Sequence, residues 1–119
     1  MCILFDQLQE NGCTDMARTM ERFLNDEEFY KECLVTSLQD KAFGGLKTAL
    51  EEDRRKEAFE YAHTLKGLMA NMGLTPVYDL VVQIVEPLRA GENDNLIAIY
   101  EQMMQEVEKF RKIVLAQIG

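Results

Sequence analysis

In the stretch Arg54-Arg55-Lys56-Glu57-Ala58-Phe59-Glu60-Tyr61-Ala62-His63-Thr64-Leu65-Lys66-Gly67-Leu68-Met69-Ala70-Asn71-Met72-Gly73, apolar side chains recur at helical spacing. At about 100° per residue, with His63 set at zero, Ala58, Tyr61, Leu65, Leu68, Met69 and Met72 fall between about 140° and 240°. That stripe is the predicted core face, and it lies opposite His63. Gly73 stands where a left-handed residue ends a helix, and Asp53 is placed to start it.

Working outward, the same period continues and strand alternation is absent. Residues 3–10 make a short amphipathic piece stopped by Asn11-Gly12. Thr14-Asp15 caps a helix to about Leu24, and Asn25 caps another, with Glu28 at the capping-box position. Gly44-Gly45 is expected to break or bend the chain before Leu46, Ala49 and Leu50 resume the pattern. Thr75-Pro76 restarts a helix directly after Gly73, with proline at a position where no amide is needed. Pro87 is expected to kink or end that helix, because the Gln83 carbonyl loses its amide donor. Asn93 or Asp94 is placed to cap a last helix carrying Leu96, Tyr100, Met103, Val107, Phe110 and Val114. The expected fold is all-α: a four-helix up-down bundle with one or two short N-terminal helices. Residues 1–119 are expected to form a single stand-alone domain.

Composition narrows function. A net charge of −8 and a pI near 4.6 leave no basic footprint for nucleic acid or an anionic membrane surface. No apolar run reaches the length of a membrane span, and the N-terminus has no basic region before its apolar residues. Cys2, Cys13 and Cys33 are odd in number and lack metal or redox spacing, which fits free thiols in a reducing compartment. The expected location is cytoplasmic, and the expected oligomeric state monomeric.

His63 is the only histidine, hence the only side chain that ordinarily titrates near neutral pH. Phe59, Glu60, Lys66, Gly67 and Ala70 lie within about 60° of it on the helix. Gly67 costs a helix interior about 1 kcal/mol relative to alanine, and it would let a bulky group approach the ring. Lys66 could neutralise an anion attached to the imidazole. Phe59 and Ala70 add apolar surface, so the docking rim is taken as Phe59, Glu60, Ala70 and Leu74. No glycine-rich phosphate loop accompanies this face, and Ser37 is the only serine, so neither a nucleotide site nor a serine nucleophile is expected. Glu51, Glu52, Asp53, Glu57 and Glu60 are read as a solvated face rather than a metal centre. What remains is nucleophilic chemistry on the imidazole, directed at an activated phosphoryl group that a partner supplies.

The residues Ala62-His63-Thr64-Leu65-Lys66-Gly67 and Ala70-Asn71-Met72-Gly73-Leu74 closely resemble the signature of histidine-containing phosphotransfer (HPt) domains of bacterial multistep phosphorelays. Phe23-Leu24-Asn25-Asp26-Glu27-Glu28-Phe29-Tyr30 and the helix from Thr75 to Gly91 extend the likeness over most of the chain. The resemblance implies a four-helix bundle in which His63 is the phosphoacceptor, Lys66 lies near the phosphoryl group and Gly67 clears access. It implies receiver domains or a hybrid histidine kinase as partners, with Mg²⁺ on the receiver only, no cofactor or metal on this chain, and no independent turnover. Leu68, Val85 and Pro87 depart from the family pattern. Two other readings are a non-phosphorylated module that regulates a partner by docking, and a structural bundle pairing through Tyr78, Val82 and Val85. That last stripe is expected instead to pack under the N-terminal helices.

Overall fold

Gly73 adopts φ +74° and ends a helix at Met72, so the chain reverses where a missing Cβ makes the left-handed conformation inexpensive. The computed structural model describes residues 3–118; Cys2 lies outside the described residues. These residues form α1 (Ile3–Glu10), α2 (Met16–Arg22), α3 (Glu27–Leu38), α4 (Ala42–Glu51), α5 (Arg55–Met72), α6 (Thr75–Arg89) and α7 (Leu96–Ile118), with no strand among them. The all-helical expectation therefore holds. Seven helices exceed four plus two, because residues 27–51 form two separate helices.

The break between those two lies at Gln39–Lys41, not at the glycines. The Asp40 carboxylate accepts from the Ala42 amide at 2.8 Å and starts α4, while Arg111 Nε donates to the freed carbonyl of Leu38 at 2.8 Å. Gly44 and Gly45 continue inside α4. A Cβ on Gly45 would lie 2.6 Å from the Tyr61 ring, so that glycine serves close packing of α4 on α5.

Several start signals shift by a residue or two. Asp26, rather than Asn25, caps α3 by accepting from the Phe29 amide at 3.1 Å; Leu24 and Asn25 take positive φ in the preceding turn. Asp53 also has positive φ and precedes α5 by two residues. Its carboxylate accepts from Arg55 and Asn93 instead. Asn93 is thereby used as a tie between chain segments, reaching the Leu50 carbonyl at 3.1 Å, and α7 begins only at Leu96. Leu74 occupies the cap position of α6, with Thr75 and Pro76 already helical. Pro87 is accommodated inside α6, which ends two residues later at Arg89.

Helix α5 packs on α3, α4 and α6; α7 closes the assembly against α6, α4, α3 and α1. The predicted stripe of α5 is inside: Ala58, Leu65, Met69 and Met72 are buried, and Tyr61 and Leu68 half-buried. Ala62 is buried as well. Burial of each large aliphatic side chain in this core contributes about 1.5–3 kcal/mol. Val85 is fully buried and Tyr78 and Val82 half-buried. The chief partners of α6 are α5 and α7, and Val85 packs within the bundle, while Tyr78 borders a groove with Thr14, Asp15, Thr19 and Arg22 and so reaches the N-terminal helices. Those helices meet α6 at its start, where Gly12 lies against Pro76.

The C-terminal turn of α5 is secured from two sides. Tyr30 on α3 donates to the Met72 carbonyl at 2.7 Å. Arg22, the last residue of α2, donates through Nη2 to the carbonyls of Ala70 and Asn71 at 3.0 and 3.1 Å. A cation at these terminal carbonyls also offsets the negative end of the helix dipole.

Candidate functional site

Halfway along α5, His63 projects into solvent, as its position opposite the apolar stripe requires. Its imidazole lies 5.8 Å from the Phe59 ring, with the planes tilted by 36°. Phe59 sits one turn earlier on the same face and is half-buried, so it forms an apolar wall beside an otherwise open ring.

Gly67 is exposed one turn later. A Cβ there would meet nothing within 4 Å, and its φ is not in the left-handed region. Neither packing nor backbone geometry inside the chain therefore requires glycine here, although it weakens the helix by about 1 kcal/mol. The free volume lies on the outside, beside the imidazole. Lys66 is half-buried on the adjacent strip and has no ion-pair partner among the described residues. Its ammonium is thus uncommitted.

Glu60 and Ala70 are exposed on this face as expected, but Leu74 is fully buried. Its amide donates to the Met69 carbonyl at 3.0 Å. After a left-handed Gly73 this bond turns the next side chain back onto the helix. Leu74 is core and not part of the docking rim.

One residue of the site escaped the sequence reading. Arg89, in the last turn of α6, places its guanidinium carbon 5.3 Å from the centre of the Phe59 ring. Phe59 is therefore flanked by His63 and Arg89. Glu86 lies 3.6 Å from Arg89 Nε, but both side chains are about half exposed, so this pair holds the arginine only weakly. A signal was available: antiparallel helices joined at Gly73 bring residues equally far from the turn side by side, and Phe59 and Arg89 nearly satisfy that condition.

The acids at the start of α5 belong to an exposed ion-pair web. Hydrogen bonds from Arg55 and then Asn93 hold the Asp53 carboxyl below the usual range. Arg54 bridges Glu52 and Glu57. Among the described residues no three His, Cys, Asp or Glu side chains group so as to hold a metal ion. A surface groove of about 870 Å³ between α4 and α7 includes Lys47, Tyr100 and Met104 but no member of the His63 group. No described helix is long and apolar enough to cross a membrane.

An exposed imidazole, an uncommitted cation and an open glycine on one helical face suit the transfer of a small anion between proteins. The family model described as Hpt domain matches residues 30–112. The chain belongs to the Hpt domain family. Hpt domains are helical bundles that carry phosphohistidine in phosphorelays and interact with receiver domains and kinases. The matched range of this Hpt chain contains α4 to α6 whole, most of α3 and α7, and all of His63, Lys66, Gly67 and Arg89. It leaves α1 and α2 outside. Comparisons with curated proteins and with solved structures return no match.

Proposed function

We propose that this Hpt domain is a phosphorelay intermediate in which His63 accepts a phosphoryl group from a receiver's phospho-aspartate and passes it to a second receiver. The observation that carries the reading is the open space at Gly67 beside the exposed His63. The neutral imidazole attacks phosphorus through Nε2. The bond from phosphorus to the aspartyl oxygen breaks, and the carboxylate stays on the receiver. Nδ1 keeps its proton, so no base within the chain is required. The product ring is cationic and its phosphoryl group dianionic, and Lys66 offsets the remaining charge. The receiver brings the Mg²⁺. Helices α4 to α7 supply the four-helix up-down arrangement that keeps α5 straight and its outer face clear, and the chain works as a cytoplasmic monomer.

The test is incubation with each phosphorylated receiver of the source organism, followed by localisation of the label. An acid-labile, base-stable phosphate on His63 is expected, and it should be absent from His63→Ala. Failure of every receiver to label His63 overturns the reading.

A further inference from the structure

We propose that the groove between α4 and α7 seats an amphipathic helix of a partner protein, one with acidic residues in its first turn and basic residues in its last. The contact is separate from the His63 face and does not depend on the relay reading above.

The groove has a volume of about 870 Å³ and is floored by α7. Ile97, Met104 and Ile113 are half-buried along it, and Glu101, Glu108 and Lys112 are exposed beside them. Ile97, Glu101, Met104, Glu108 and Lys112 follow one another at steps of three and four, the stripe that a neighbouring helix covers. From Ile97 to Ile113 it runs about 24 Å at 1.5 Å per residue. Helix α4 has 10 residues against 23 in α7, so it walls only part of that length.

The two ends of the groove differ in charge. Asn93, just before α7, donates to the Leu50 carbonyl at 3.1 Å, which sets Glu51 at the end lined by Ile97 and Glu101. Gln117 donates to Gln7 at 3.1 Å, which sets Asn11, at the end of α1, beside Lys109 and Lys112. Glu51, Glu101 and Lys112 make no ion pair among the described residues, whereas Arg111 neutralises Glu108. On a chain of net charge −8 the groove is lined by three lysines and three glutamates. A uniformly basic or uniformly acidic segment would therefore meet repulsion at one end. Carboxylates along the rim repel an acyl anion in the same way. A helix with acids first and bases last matches both ends, and that order is the one its own dipole favours. It lies antiparallel to α7, with its first turn over Lys112 and its last over Glu51 and Glu101.

Both faces of the domain can be occupied at once. Helices α5 and α7 each pack on α4 and α6, so they stand at opposite corners, and the outer face of α7 is turned away from His63. A partner seated there holds the domain close to its other components without covering the imidazole, which raises their effective concentration.

The test uses the full chain and three fluorescein-labelled helical peptides of about 18 residues, a length of about 27 Å. They share one leucine face and carry at their two ends Glu then Lys, Lys at both, or Glu at both. Fluorescence anisotropy at low salt is expected to show the Glu-then-Lys peptide binding at least about tenfold more tightly than the others. Met104→Glu should weaken it at least about tenfold. Lys112→Glu, at an exposed position, should weaken it at least about fivefold and make the peptide with Lys at both ends the tightest. His63→Ala should leave its affinity within about twofold of wild type. Binding of none of the peptides, equal binding of all three, or unchanged affinity in both groove variants overturns the inference. Loss of binding in His63→Ala overturns it too, because the two faces would then not be separate. A wild-type chain that sediments as a dimer, and as a monomer once Met104→Glu is introduced, assigns the groove to a second copy and likewise overturns it.

Discussion

The guanidinium of Arg89 lies 5.3 Å from the centre of the Phe59 ring. Because that ring also borders the His63 imidazole, the end of α6 brings a second cation to the face that already holds Lys66. A half-exposed guanidinium over such a ring is bound by only about 0.5–1 kcal/mol. It can therefore leave Phe59 for a phosphoryl oxygen at little cost.

Arg89→Ala should slow transfer from a phosphorylated receiver to His63 about fivefold. That figure corresponds to about 1 kcal/mol, typical of one exposed charge contact. The melting temperature should stay within about 2 °C, since the lost ion pair with Glu86 is exposed. A time course of label on His63 measures the effect, and an unchanged rate removes Arg89 from the site.

Gly67 separates access from stability. Gly67→Ala should raise stability by up to about 1 kcal/mol, because the added Cβ meets nothing within 4 Å. Gly67→Leu should also leave thermal unfolding and helix content near those of wild type, yet block transfer by filling the space beside the imidazole. A large fall in melting temperature in either variant would show instead that Gly67 is needed for packing.

Gly45 is the opposite case. Its Cβ position lies 2.6 Å from the Tyr61 ring, so Gly45→Ala should destabilise the fold by about 1–3 kcal/mol as the ring or α4 is displaced. In a Tyr61→Ala background the same substitution should cost little. A double-mutant cycle in denaturant measures the coupling, and an additive result would mean that the contact is not what glycine serves there.

Cys13 predicts a pH dependence. Burial is the main reason its thiol is pushed up to about 11 from an ordinary 9.0. Between these values the unfolded chain has released a proton that the folded chain keeps, so stability falls as pH rises. The loss reaches about 2 kcal/mol by pH 11. At pH 8 the smaller thiolate fraction should make alkylation of Cys13 about 100-fold slower in the folded chain than in urea. Mass-resolved alkylation checks this, and equal rates would contradict the burial.

Much of the candidate site was legible before any tertiary information. The step of three and four from Ala58 to Met72 placed His63 away from the core. Glycine at 67 and a left-handed end at Gly73 followed from the same local rules. Helix starts were less legible, because Asn25, Asp26 and Asp53 are all competent caps and the surrounding hydrogen bonds chose among them.

The sequence by itself determined the helical class and the outward face of α5, since a period of 3.6 is set by side chains within a few residues of one another. Only the tertiary structure decided that Arg89 stands over Phe59, that Arg22 closes the end of α5, that Leu74 is core, and that Tyr61 covers Gly45. Those relationships depend on how one helix is set against another. That register is fixed by summed packing along whole interfaces, and no short stretch of sequence contains it.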